Sequence, residues 1–201
     1  MQDLIKVLYI HGMRGGEDSR IPAFLAPHFD VMIKTWPFDP DEAAPLVRSW
    51  ADEFKPDVVV GESLGAIHAL CLEGLPVLLV SPALNAPEVL AKLSFLTAIP
   101  AVRRFYERKY AQKSPVRQRI IFERTLLKKW PQYRDMALST PHPYVHAFIG
   151  TRDSYRRSGT VSLRTYHKFF GDTYTLYEGT HYMEEEFLES LLIPAIRRCR
   201  P

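Results

Sequence analysis

The chain has 201 residues, 46% of them hydrophobic, with a formal net charge of +3. That length supports one well-buried core and is short for two, so a single domain over residues 1–201 with one insertion is expected. The charge is too small to indicate nucleic acid, and no apolar run approaches the roughly 18 residues of a membrane-spanning helix.

The first strand starts almost at once, Ile5 to Ile10, behind no basic leader or cleavage site, so a soluble cytoplasmic protein is expected. It runs into His11-Gly12-Met13-Arg14-Gly15-Gly16. A second strand is expected over Val31 to Thr35 and a helix over Asp41 to Phe54. Then Val58-Val59-Val60, punctuated by Lys55-Pro56-Asp57, leads into Gly61-Glu62-Ser63-Leu64-Gly65 and an apolar helix over Ser63 to Glu73. Val77 to Val80 gives a fourth strand. Several of these runs are apolar without alternation, as in a parallel sheet covered on both faces.

About 60 residues then separate Ser81 from the fifth strand, Val145 to Ile149, well beyond an ordinary connection. Helices are expected there over Pro87 to Ala98, Val102 to Tyr110 and Val116 to Trp130, with the prolines as punctuation. Residues 84–143 therefore read as a helical cap over the sheet edge. Its aromatics, Phe95, Phe105, Tyr106, Tyr110, Phe122, Trp130 and Tyr133, belong either to the core of that cap or to a pocket wall. Between Lys92 and Asp135 twelve Lys or Arg residues face three acids, Glu107, Glu123 and Asp135. This is either a solvated helical face or a basic rim for anionic substrates. The last strand is expected over Tyr174 to Tyr177. The whole is an α/β pattern: a doubly wound, mostly parallel six-stranded sheet.

A strand, a GxSxG turn and a helix in that order make the surroundings of a serine nucleophile. Gly61 and Gly65 relieve crowding at a sharp turn that leaves the Ser63 hydroxyl exposed. A serine hydroxyl needs a general base, and the base an orienting acid. Asp153, after the strand ending at Gly150, and His181, after Glu178-Gly179-Thr180, would arrive at the same sheet edge. Glu178 is the rival acid, and Asp153 has the alternative role of capping the following helical turn. Oxyanion stabilisation needs backbone N–H groups, for which Met13 and Leu64 are the natural donors. His11 is read as structural, holding its loop with Gly12. Neither GxGxxG nor GxxxxGK[ST] occurs, so nucleotide binding has no support. Cys71 and Cys199 form neither a disulfide framework nor a metal site, and no metal is expected.

Taken together, Tyr9-Ile10-His11-Gly12, Gly61-Glu62-Ser63-Leu64-Gly65, Gly150-Thr151-Arg152-Asp153 and Gly179-Thr180-His181 resemble the α/β-hydrolase superfamily over nearly the whole chain. The short length and the lead into the elbow are similar to the small bacterial YqiA/YcfP-like esterases, from which the larger basic insert departs. The resemblance implies the α/β-hydrolase fold, a Ser63, Asp153, His181 triad, an oxyanion hole of the Met13 and Leu64 N–H groups, no cofactor, and hydrolysis of a small-molecule carboxylic ester or thioester. An amide or peptide hydrolase on the same residues and a noncatalytic binding protein of the same fold are the other readings. Oligomeric state is left open.

Overall fold

The structure is a computed structural model and describes residues 4–199. Six strands form one sheet: β1 (Lys6–Ile10), β2 (Asp30–Ile33), β3 (Val58–Glu62), β4 (Val77–Val80), β5 (Val145–Gly150) and β6 (Tyr174–Tyr177). They lie in the order β2-β1-β3-β4-β5-β6, and every neighbouring pair is parallel.

Successive strand residues point to opposite faces, and in the four central strands, β1, β3, β4 and β5, both faces are buried. Leu8, Ile10, Val59, Leu79, Ala147 and Ile149 join one apolar cluster, while Val7, Tyr9, Val58, Val60, Leu78 and Phe148 join another. With no solvated face, polar alternation has no purpose, and the strands read as continuous apolar runs. One side is covered by helices α2 (Pro40–Phe54), α3 (Gly65–Leu70) and α7 (Trp130–Ser139), the other by α1 (Arg20–Leu25), a π-turn at Leu188–Leu192 and the terminal helix Ile193–Arg198.

The chain begins in β1, adds β2 on one side and returns past β1 to add β3 on the other. The loops leaving β1 and β3 therefore diverge at the carboxyl ends of adjacent strands. Such a reversal of winding opens a crevice at the sheet edge, and ligands of open α/β sheets bind there.

Residues 81–144 depart most from expectation. Helices α4 (Ala86–Leu96), α5 (Pro100–Lys109), a short turn at Arg124–Leu127 and α7 are present. The helix expected over Val116 to Trp130 is not. Val116 instead lies in a turn that the Arg117 N–H closes on the Ser114 carbonyl, and Arg117 and Gln118 lie against the loop after β1, with a bridge between Gly16 and Arg117 and the Gln118 N–H donating to the Gly15 carbonyl at 2.8 Å. Their backbone groups pair outside the segment, which removes the hydrogen bonds a helix would use. Pro131 occupies the first turn of α7 and starts that helix, as Pro87 and Pro100 start theirs. A proline lacks only a donor that the first turn leaves unpaired anyway. Elsewhere the differences are at boundaries: β2 spans Asp30–Ile33 rather than Val31 to Thr35, and α3 ends at Leu70, ahead of a turn at Gly74 with φ +77°.

Candidate active site

The turn between β3 and α3 is held from both sides. The Ser63 N–H donates to the Val80 carbonyl at 2.9 Å, and the Ala83 N–H donates to the Ser63 carbonyl at 3.0 Å. Within that clamp Ser63 takes φ +51°, a left-handed conformation costly for a residue with a side chain. The surroundings are correspondingly tight. A Cβ on Gly65 would lie 2.4 Å from the Ile10 and His11 carbonyl oxygens, and one on Gly12 would lie 2.9 Å from the Ser63 Cβ. Gly12 and Gly65 let the β1 loop and the elbow approach closely, while a Cβ on Gly61 would lie 2.7 Å from the Ala69 Cβ and 2.9 Å from the Ala66 Cα, so Gly61 and Gly65 both sit where a side chain would crowd the turn.

His181 follows β6 and is buried, with 6% of its surface exposed, and Asp153 follows β5 with 3% exposed. His181 Nδ1–H donates to Asp153 Oδ2 at 2.8 Å, which leaves Nε2 to accept the Ser63 hydroxyl at 3.0 Å. Three residues 28 and 118 positions apart in sequence thus form one hydrogen-bonded chain. Asp153 also fills its alternative role. Its Oδ1 accepts the Tyr155 N–H at 2.7 Å and caps the short helix Ser154–Arg157, so the cap fixes the carboxylate for the histidine. Glu178 is exposed and does not meet His181.

Two expected features lie opposite Ser63. Met13 and Leu64 line the same cavity as Ser63 and His181, and neither backbone N–H has a partner among the described residues. His11 stays out of that hydrogen-bonded chain. Its Nδ1–H donates to the Gly12 carbonyl at 2.8 Å, and its ring stacks on Trp36 at 5.3 Å between centroids. Burial pulls its pKa down to about 4, against a smaller opposing pull from the Gly12 carbonyl, so it is neutral.

Two residues of this region carry no motif and were not anticipated. The Tyr155 ring lies 4.4 Å from that of His181 and covers it. Gln118 is buried and ties three points together: its Oε1 accepts the Arg14 N–H at 3.1 Å, its Nε2 donates to the Trp36 carbonyl at 3.1 Å, and its N–H holds Gly15. Arg14 itself has φ +68°. The loop bearing Met13 is therefore braced by a residue more than a hundred positions away, for which the sequence offers no local signal. If the Met13 N–H receives an oxyanion, Gln118→Ala should lower kcat by on the order of tenfold or more with little change in KM, because a loosened donor weakens contacts made chiefly in the transition state. Steady-state kinetics on one ester decides this; a rise in KM alone would make Gln118 a binding residue instead.

The cavity in front of Ser63 has a volume of about 580 Å³, within the range of small-molecule sites. Of the aromatics between residues 84 and 143, Tyr106, Tyr110 and Phe122 line it, Trp130 and Tyr133 are in the core, and Phe95 and Phe105 are exposed. Cys71 is buried and its thiol is pushed up to about 12 by that burial, so it is no rival nucleophile. Among the described residues no group of three or more His, Cys, Asp or Glu is arranged to hold a metal, and no helix is long and apolar enough to cross a membrane.

The fold is that of the α/β-hydrolases, on the evidence of solved structures. A monoacylglycerol lipase from Paleococcus ferrophilus superposes with a TM-score of 0.64 at 17% identity, over 96% of this chain and 93% of its own. A structure of the metagenome-derived lipolytic enzymes LipS and LipT gives 0.55 at 16% identity, over 98% and 94%. FphF, a fluorophosphonate-binding serine hydrolase of Staphylococcus aureus, gives 0.52 at 11%, over 99% and 84%. No protein-family model matches the sequence, and no curated protein matches it at the level of sequence.

Proposed function

We propose that the protein is a serine hydrolase that cleaves carboxylic esters or thioesters through an acyl-enzyme. The observation that carries this reading is the chain of two hydrogen bonds from Ser63 through His181 to Asp153, ending on a serine in a strained left-handed turn. In the proposed mechanism His181 Nε2 takes the Ser63 proton as Oγ bonds to the substrate carbonyl carbon. Asp153 keeps the imidazole in the tautomer that can accept that proton and then stabilises the imidazolium. The Met13 and Leu64 N–H groups receive the developing oxyanion. When the tetrahedral intermediate collapses, the carbon–oxygen or carbon–sulfur bond breaks and the imidazolium proton passes to the departing atom. Water, deprotonated by His181, then releases the acid and restores Ser63.

The chemistry named in the structural neighbours, lipolysis and fluorophosphonate binding, agrees with this reading. So does a cap formed by residues 84–143, which contribute α4, Tyr106, Tyr110 and Phe122 to the cavity wall. The test is labelling with a fluorophosphonate probe. The wild type should label, and Ser63→Ala and His181→Ala should not; a well-folded wild type that stays unlabelled would favour a noncatalytic binding protein. Matched ester and anilide substrates then separate ester from amide chemistry.

A further inference from the structure

The lining of the cavity beside Ser63 holds two chemically different groups of side chains. One is apolar, Leu90 and Leu93 of α4 with Phe122. The other is Arg14, Lys109 and Lys113, none of which forms an ion pair among the described residues. Arg14 and Lys109 instead flank the Tyr110 ring, 5.4 Å and 5.6 Å from its centroid, a contact that orients cations without neutralising them. Among the described residues Glu62 is the one acid that lines the cavity, and it is engaged by the Tyr9 hydroxyl at 2.8 Å. Three uncompensated cations in a partly enclosed space focus a positive field on whatever enters.

An ester has two halves, and a lining of two chemistries can seat one of each: an acyl chain against Leu90, Leu93 and Phe122 leaves the anionic group to the alcohol or thiol half.

We infer that the substrate joins an apolar acyl group to an alcohol or thiol that carries an anionic group, a phosphate or a carboxylate, seated among Arg14, Lys109 and Lys113. This rests on the serine hydrolase reading and narrows it to one substrate class. A neutral lipid ester would leave the three cations without a partner in the bound state.

The experiment compares kcat/KM for two matched pairs. Octanoyl-coenzyme A against octanoyl-N-acetylcysteamine keeps acyl group and thioester and adds phosphates. O-octanoyl glycolate against its methyl ester adds a carboxylate. On the order of a tenfold preference for the anionic member of at least one pair is expected, shrinking as ionic strength rises. The pair that shows it identifies the anion. In the double variant Lys109→Gln/Lys113→Gln that ratio should fall toward one; a ratio that survives the double change overturns the assignment to these cations. Ratios near one in the wild type, or no turnover of any of the four by a protein whose Ser63 still labels, overturn the inference and leave the hydrolase reading standing. If Ser63 does not label and nothing is turned over, the hydrolase reading fails and takes the inference with it.

Discussion

Ser63→Ala should lower kcat by on the order of 10⁶ if Ser63, His181 and Asp153 act as a unit. The size of the effect follows from the hydrogen-bonded chain. Each residue supplies one step of a single proton transfer, so losing the acceptor costs about as much as losing the donor. His181→Ala should therefore match Ser63→Ala, and the double variant should be scarcely worse than either. Asp153→Asn should cost about 10⁴, because an amide can hold the imidazole in the wrong tautomer. Glu178→Gln should be nearly silent, since that side chain is exposed and the His181 ring nitrogens are engaged by Asp153 and Ser63. Steady-state rates on an activated ester decide all five. A Ser63→Ala variant within tenfold of wild type would end the mechanism, and a fully active Asp153→Asn would remove Asp153 from it.

Acid should unfold the protein well before its carboxylates alone would require it. His68 lies buried among aromatic rings, 4.7 Å from that of Trp36 and 5.5 Å from that of Trp130, and neither of its ring nitrogens has a hydrogen-bond partner among the described residues. Burial, with a smaller push from His11, lowers its pKa to about 3, and burial lowers that of His11 to about 4. Both folded values lie below the unfolded value of about 6.5. Between those limits the unfolded chain binds more protons than the native one, so stability is fully present above about pH 6.5 and is lost as pH falls toward 4 and 3. Two such groups make the loss between pH 7.5 and 4.5 roughly 5 kcal/mol, comparable with the whole stability of a small domain. Urea unfolding at the two pH values measures it. His68→Leu should remove about half of the difference; a difference of the same size in that variant would put the acid sensitivity elsewhere.

Much of the fold was legible because its signals are local. Continuous apolar runs named all six strands, and the sheet they form is parallel throughout. The glycines around Ser63 announced a turn too tight for a Cβ, and the order Ser63, Asp153, His181 matched three strand ends. Residues 116–130 were misread for the converse reason. Their polar and apolar spacing suits a helix, but the backbone of Val116 to Gln118 finds its partners on the loop after β1, and no local pattern records a partner a hundred residues away. The prolines were recognised as punctuation, yet punctuation does not say whether it opens or closes a helix.

The sequence by itself determined the doubly wound sheet, the elbow at Ser63 and His181 as the candidate base, with Asp153 and Glu178 as candidate acids. Strand propensity, turn geometry and side-chain chemistry are properties of a few neighbouring residues. Only the tertiary structure decided that Asp153 rather than Glu178 meets His181, that Gln118 braces the loop of Met13, and that Arg14, Lys109 and Lys113 share a cavity with Ser63. Those facts are distances between segments far apart in the chain, and they exist only once the core has packed and brought the strand ends to a single edge.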